Sequence, residues 1–263
     1  MLLLTLLGNP VAHSISPRLH NSVFKALKID ACYVRKAVED SEALLKTFWE
    51  MNLSGANVTV PHKEAAYAQC DEVRGLAKQI GAVNTLVREG TRVIGYNTDA
   101  EGFYMSIQAF EPLNNVLILG AGGTAKALAV ILKERGLNVT ILNRSHARLE
   151  FFKTQGFNVQ TWETFSPQAY DLIVNTTSAG LKDEALPCPL AFLEAIFPQT
   201  RFAYDVIYNK PTPFLALAEQ NHLTCKDGKE MLLYQAVLAF DLFFAQRYDR
   251  ENVEALMRPV FDL

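Results

Sequence analysis

The chain has 263 residues, 49% hydrophobic and 20% charged, an ordinary globular composition with room for one large domain or two modest ones. Its 25 basic and 28 acidic residues leave a formal net charge of -3, which removes any electrostatic case for nucleic acid or an anionic membrane as partner. The 4 cysteines, Cys32, Cys70, Cys188 and Cys225, are scattered with no Cys-x-x-Cys pair, so zinc spacing is absent and reduced thiols of a cytoplasmic protein are expected.

The apolar start from Met1 to Leu7 lacks a basic flank and is broken by Gly8-Asn9-Pro10. It reads as a buried first strand, Leu2 to Leu7, and not as a signal peptide. No uncharged apolar stretch is long enough to span a bilayer. Ser16-Pro17 looks like an N-cap followed by proline at the first helical position, opening a helix to about Leu27. Ala31 to Val38 is strand-like and Ser41 to Met51 helical. Gly55 to Pro61 is a short strand ending at proline, and a helical pair covers His62 to Ile80. Ala82 to Arg88 and Arg92 to Asn97 are strands at hairpin spacing across Glu89-Gly90-Thr91.

A second α/β series starts near Asp99. Glu101 to Phe110 is helical. Asn115 to Leu119 is a near-continuous apolar strand of the kind buried on both faces of a parallel sheet. A glycine turn follows, then a helix to about Arg135, a strand over Val139 to Leu142, a helix over His146 to Gln155, and strands over Asp171 to Val174 and Phe202 to Val206. Helices over Thr212 to Gln220, Gly228 to Arg247 and Arg250 to Met257 close the chain without strands of their own, so they are expected to pack back on the first domain. The alternation predicts an α/β protein.

Gly120-Ala121-Gly122-Gly123-Thr124-Ala125 fits the dinucleotide pattern Gly-x-Gly-x-x-Gly/Ala, and its context, an apolar strand before and a helix after, strengthens it. The first glycine permits the tight turn, the second lets backbone approach a pyrophosphate, and Ala125 allows close packing of helix on strand. The helix N-terminus offers N–H groups and partial positive charge to the anion. The next strand ends in Asn143-Arg144-Ser145-His146-Ala147-Arg148, with no acid to hold ribose hydroxyls as NAD sites require. Arg144 and Arg148 suit a 2′-phosphate, with Ser145 adding a hydroxyl, and so predict NADP.

Three polar clusters fall where loops meet strand ends: His13-Ser14-Ile15-Ser16; Asn57-Val58-Thr59-Val60-Pro61-His62-Lys63; and Gly81-Ala82-Val83-Asn84-Thr85 with Asn97-Thr98-Asp99. Hydroxyls and amides of this kind suit a small polyhydroxylated molecule, because each substrate OH needs a partner once it leaves water. From the residues alone, Lys63 reads as a solvated residue of a first helical turn, and Asp99 as a plain helix N-cap.

With Asp227-Gly228-Lys229-Glu230-Met231-Leu232-Leu233-Tyr234-Gln235 added, these segments in this order resemble the shikimate dehydrogenase family over nearly the whole length. The resemblance implies a two-domain α/β fold. Residues 1–99 plus 229–263 would form a substrate-binding and catalytic domain completed by C-terminal helices, and 100–228 a Rossmann-type NADP domain. It implies Lys63 and Asp99 as the catalytic pair, with Ser14, Ser16, Thr59, Asn84, Tyr208 and Gln235 binding substrate alongside them. Gly120, Ala121, Gly122, Gly123 and Thr124 would hold the pyrophosphate, Asn143, Arg144, Ser145 and Arg148 the adenosine phosphate, and Val206 and Gly228 would lie near the nicotinamide. The reaction implied is reversible NADPH-dependent reduction of 3-dehydroshikimate to shikimate, in aromatic amino acid biosynthesis.

Ser145 stands where the family usually has threonine, and no role is carried to Gly75. His62 is read as shaping the pocket and not as a proton donor. His20, His146 and His222 show no ligand spacing, so no metal is expected. A monomer or homodimer is expected, with a cleft hinged near Asp99 and Gly228. Two alternatives stand beside this reading: a quinate/shikimate dehydrogenase with broader substrate or NAD use, and a non-catalytic sensor of metabolite and NADP.

Overall fold

The computed structural model describes residues 1–208 and 210–262 of the chain. The apolar start forms β1 (Leu2–Gly8), buried from Leu4 onward. After it comes α1 (Ser16–Ala26), whose N-cap is Ile15 and not the expected Ser16, with no side-chain bond from the cap. The hydroxyl serving this turn belongs to Ser14, whose Oγ accepts from the Ser16 N–H at 3.2 Å. Proline suits the first turn because its N–H would be unpaired there anyway, so it marks the start of the helix only to within a residue.

The chain continues through β2 (Ala31–Ala37), a 3-10 turn at Ser41–Ala43, α2 (Leu44–Glu50), β3 (Gly55–Val58) and α3 (Lys63–Gln69). Between α3 and the next helix lies a strand the expected helical pair omits, β4 (Glu72–Val73). It pairs with a strand about twenty residues on, a partner that local pattern cannot reveal. Then come α4 (Ala77–Ile80), the hairpin β5 (Thr85–Glu89) and β6 (Arg92–Tyr96), and α5 (Asp99–Ile107). Gly90 supplies the positive φ of the hairpin turn, at 65°.

The second series is β7 (Asn115–Leu119), α6 (Gly123–Glu134), β8 (Asn138–Leu142), α7 (Glu150–Thr154), β9 (Asn158–Gln160), β10 (Leu172–Asn175), α8 (Leu190–Ile196), β11 (Phe202–Asp205), α9 (Pro213–Gln220) and β12 (Thr224–Lys226). The last helices are α10 (Lys229–Phe243) and α11 (Arg250–Met257). Sequence reading misses β9, α8 and β12, and β12 corrects the expectation that the closing helices come without a strand. Both missed strands are three-residue sheet edges, too short to show a period of their own.

Two compact units emerge: Met1–Phe103 with Leu232–Leu263, and Tyr104–Met231. In the first, the sheet order is β2-β1-β3-β5-β6-β4. β2, β1 and β3 run parallel, and β5 is antiparallel to both β3 and β6. Leu233, Ala236, Val237 and Phe240 of α10 share a buried core with Leu4, Leu19, Val23 and Tyr33, joined by Val253 and Met257 of α11. Burial of these side chains away from water holds α10 and α11 against the first strands, whereas α9, expected there too, belongs to the second unit, where Phe214, Leu215 and Ala218 share a core with Leu117 and Ala203.

The second unit carries a wholly parallel sheet of order β12-β11-β10-β7-β8-β9. Counted from β7, that is the doubly wound order 3-2-1-4-5-6, which places ligands outside the carboxyl ends of the strands where β7 and β10 diverge. All four residues of β7 after Asn115 are buried, as a strand covered on both faces requires.

Candidate active site

In the first unit, parallel β1 and β3 end at the same edge where antiparallel β5 begins and β6 ends. That edge therefore collects all three polar clusters. Thr59 leaves β3 with its N–H donating to Leu7 O at 2.8 Å. Gly8 has no room for a side chain there, since a Cβ would stand 2.3 Å from Thr59 Cγ2. His62 caps α3, and Lys63 is its first residue. Asp99 is the first residue of α5.

Lys63 Nζ donates to Asp99 Oδ2 at 2.6 Å, with the two side chains 24% and 13% exposed. Lys63 is thus neither free nor fully solvated, and Asp99 does not serve as a plain helix cap. Asn97 takes that task, its Oδ1 accepting from the Ala100 N–H at 3.2 Å. The same edge holds Asn84, buried, with Nδ2 donating to Thr98 Oγ1 at 3.0 Å and Oδ1 accepting from the Thr98 N–H at 2.8 Å. Behind it Thr85 Oγ1 donates to Asn84 Oδ1 and accepts from Asn57 Nδ2, while Tyr33 OH donates to Asn57 Oδ1 at 2.7 Å. These buried polar groups satisfy one another and fix the Asn84 amide.

Ser14 and Ser16 hydroxyls lie 3.1 Å apart at the start of α1. Gln235 Nε2 donates to Leu232 O at 2.8 Å within α10. The Gln235 backbone lies against Gly102, where a Cβ would stand 2.7 Å from Gln235 N, so a glycine one turn past Asp99 lets α5 and α10 touch. His62 is fully buried, with Nδ1 2.6 Å from Ser41 Oγ and Nε2 2.7 Å from Val38 O. A carbonyl only accepts, so Nε2 carries the proton and Nδ1 accepts from the serine. Both nitrogens are occupied in anchoring the start of α3. Tyr208 belongs to the second unit, in the segment after β11, and burial raises its phenol above the ordinary range.

The second unit presents the glycine turn at the carboxyl end of β7. Gly120 has φ 106°, closed to ordinary side chains, and a Cβ would also meet Thr176 Oγ1 at 2.8 Å. At Gly122 and Gly123 an added Cβ would meet nothing within 4 Å, which leaves backbone open to a ligand. No side chain caps α6, whose first N–H groups have no intrahelical partner. At the end of β8, Asn143 Nδ2 donates to Ser145 O at 2.8 Å, and Arg144, Ser145 and Arg148 are exposed. Neither arginine makes an ion pair among the described residues. An anion-ready turn beside two uncommitted guanidinium groups and no acid fits NADP.

Val206 follows β11, and a Cβ on Gly228 would stand 2.2 Å from Val206 O, so glycine alone permits that approach. Sequence reading passed over Asn175, Thr176, Thr177 and Asp205, which sit beside these positions. Asp205 is fully buried. Burial raises its carboxyl above the usual range, against hydrogen bonds from Ile207, Asn175 and Thr212 that lower it. A cavity of about 470 Å³, lined by Asn115, Lys133, Asn138, Thr140, Asn158 and Tyr170 among others, opens at the other, amino-terminal edge of this sheet, away from every predicted site residue. Among the described residues no group of His, Cys, Asp and Glu could hold a metal, and no helix is long and apolar enough to cross a membrane.

The model of the shikimate dehydrogenase substrate binding domain matches residues 6–86. A model described as an FAD binding domain matches residues 114–170, the strand, glycine turn and helix that dinucleotide-binding folds share. The NADP(+) shikimate dehydrogenase of Helicobacter hepaticus is 48% identical over 94% of this chain and 92% of its own. That of Helicobacter acinonychis is 44% identical over 97% of each. Among solved structures, the Thermus thermophilus shikimate 5-dehydrogenase in complex with NADP(H) and shikimate matches with a TM-score of 0.86 and 35% identity, over 99% of this chain and 100% of that one. The Aquifex aeolicus shikimate dehydrogenase matches at 0.84 and 32%, over 98% of each. With relatives this similar along almost all of its length, the chain belongs to the shikimate dehydrogenase family.

Proposed function

We propose that this chain catalyses the reversible NADPH-dependent reduction of 3-dehydroshikimate to shikimate, in aromatic amino acid biosynthesis. The observation that carries the reading is the Lys63–Asp99 pair at 2.6 Å, set at one sheet edge with the hydroxyls and amides that a polyol needs. In this reading the first unit binds substrate and the second binds NADP.

Bound NADPH supplies the hydride. Reduction of a ketone puts negative charge on its oxygen, and a positioned cation both stabilises that charge and provides the proton. Lys63 does both. Asp99 restrains the Lys63 ammonium and keeps one of its three protons engaged, leaving two to face substrate. Ser14, Ser16, Thr59, Asn84, Tyr208 and Gln235 bind hydroxyl and carboxylate groups. Asn84 is the most constrained of them, because its carbonyl is engaged by Thr98 and Thr85 and one amide N–H remains free to donate. Gly120 to Thr124 hold the pyrophosphate, and Asn143, Arg144, Ser145 and Arg148 hold the adenosine phosphate. Val206 and Gly228 border the nicotinamide.

The test is nicotinamide absorbance on mixing purified protein with shikimate and NADP, then NAD, then quinate. Shikimate with NADP is expected to turn over fastest. Lys63→Ala is expected to lower kcat by about 10²- to 10⁴-fold with the fold intact. Faster turnover of quinate or of NAD would refute the assignment of substrate or cofactor, and full activity in the variant would remove Lys63 from the chemistry.

A further inference from the structure

We infer that Asp205 and Asn175 form a polarity-matched pair that ties the glycine turn of the dinucleotide site to its nicotinamide side, making Asp205 a positioning residue for the cofactor. This rests on the reading of the second unit as the NADP domain.

The two residues end adjacent parallel strands, β10 and β11, in register. Asn175 Nδ2 donates to Asp205 Oδ2 at 3.0 Å. On one side, Asn175 Oδ1 accepts from the Thr177 N–H at 2.9 Å and from Thr177 Oγ1 at 2.8 Å. The Thr176–Thr177 turn so held lies against Gly120, where a Cβ would meet Thr176 Oγ1 at 2.8 Å and Thr177 Cγ2 at 3.0 Å. Thr176 Oγ1 also donates to Leu119 O at 2.7 Å, the last residue before the glycine turn. On the other side, Asp205 Oδ1 accepts from the Ile207 N–H at 3.0 Å, and Oδ2 accepts from Thr212 Oγ1 at 2.8 Å. Ile207 O in turn accepts from the Gly228 N–H at 3.2 Å, and Gly228 abuts the Val206 carbonyl. A continuous chain of contacts thus runs from Gly120 through Thr177, Asn175 and Asp205 to Val206 and Gly228.

Hydrogen-bond polarity along this chain leaves no freedom. The Thr177 N–H is fixed by the backbone, so Asn175 must turn its carbonyl there and its amide to residue 205. The Ile207 N–H is likewise fixed, so residue 205 must accept on one side from Ile207 and on the other from Asn175. Only a carboxylate accepts at both oxygens. An asparagine at 205 leaves a buried donor facing a donor in either orientation. Exchanging the two residues restores a matched set: an aspartate at 175 accepts from Thr177 on one oxygen and from residue 205 on the other, while an asparagine at 205 accepts from Ile207 and donates to residue 175 and to Thr212 Oγ1, whose hydroxyl turns to accept. The nearly complete burial of both side chains leaves no water to make up the mismatch.

The experiment compares wild type, Asp205→Asn, Asn175→Asp and the double exchange, measuring NADP affinity by titration calorimetry and both Michaelis constants, with far-UV circular dichroism as the check on folding. A donor facing a donor in Asp205→Asn, or two carboxylate oxygens facing one another in Asn175→Asp, is expected to weaken NADP binding on the order of tenfold in each single variant. The Michaelis constant for shikimate is expected to stay within about twofold. The double exchange is expected to recover most of the lost affinity. Native NADP affinity in folded Asp205→Asn overturns the inference. So does a double exchange that binds NADP no better than the single variants, or that fails to fold. Should Asp205→Asn itself not fold, the double exchange decides by the same criterion. Wild-type protein that binds no NADP overturns the cofactor reading itself, and the inference with it.

Discussion

His20 offers the sharpest quantitative test of the first unit. It sits on α1 with both ring nitrogens buried and without a hydrogen-bond partner among the described residues. Its ring stacks on Tyr33 at 4.3 Å with an interplanar angle of 5°, and Phe24, Phe240 and Phe243 surround it. Burial holds its pKa down to about 3, against 6.5 for an exposed imidazole. Between those values the unfolded chain binds a proton that the folded chain refuses. The stability contributed by the neutral ring is therefore complete above pH 6.5 and is lost as the pH falls toward 3. The loss follows RT ln(1 + 10^(6.5 − pH)) over this window, which is about 0.1 kcal/mol near pH 7.5 and about 1.4 kcal/mol near pH 5.5.

His20→Leu removes the proton linkage. It also removes the stack on Tyr33, worth about 0.5–1.5 kcal/mol, and relieves an unpaired buried donor, worth about 1–3 kcal/mol. These two terms oppose one another and do not depend on pH. The reading is therefore the change with pH in the difference between variant and wild type, expected to favour the variant by about 1.3 kcal/mol more near pH 5.5 than near pH 7.5. Urea unfolding followed by tryptophan fluorescence in a Trp162→Phe background measures it, because Trp49 then reports on the unit that contains His20. Parallel stability curves for variant and wild type across that range would refute the argument, showing that the folded protein finds a way to protonate or hydrate the ring.

Arg144→Ala is expected to reduce kcat/KM with NADP by about ten- to a hundredfold, the worth of a charge-assisted hydrogen bond to phosphate, and to leave the value with NAD nearly unchanged. Steady-state kinetics with both cofactors checks it, and equal losses with both would remove the guanidinium from the 2′-phosphate. Gly228→Ala sets a Cβ 2.2 Å from the Val206 carbonyl oxygen, so backbone must move near the proposed nicotinamide position. A loss of about a hundredfold in kcat with an unchanged circular dichroism spectrum is expected, and native turnover would show that the contact relaxes harmlessly.

Much of the second unit was legible in order along the chain, because its strands are covered on both faces and read as unbroken apolar runs. Asn115–Leu119 is such a case. The glycine turn was legible because Gly120 occupies a positive φ that few other residues tolerate. The missed strands have a common cause. β4, β9 and β12 are two or three residues long and gain their hydrogen bonds from distant strands, so nothing in their own composition marks them.

Among candidate site residues, the chain itself displayed the types: hydroxyls, amides, one lysine, one aspartate, and arginines in place of an acid after β8. Local spacing could not say that Lys63 reaches Asp99, because 36 residues separate them and a helix first turn accommodates either residue alone. Only the sheet, in which β5 runs antiparallel to β3 and β6 turns back to run the same way as β3, brings the ends of three segments to one edge and makes the contact. Asp205 and Asn175 escaped notice for the same reason: each is an ordinary polar residue until two strands 30 residues apart align side by side and bury both. Residue chemistry and backbone conformation are local properties and can be read from the chain. Which polar groups share a buried space is decided by strand pairing, and that belongs to the tertiary structure.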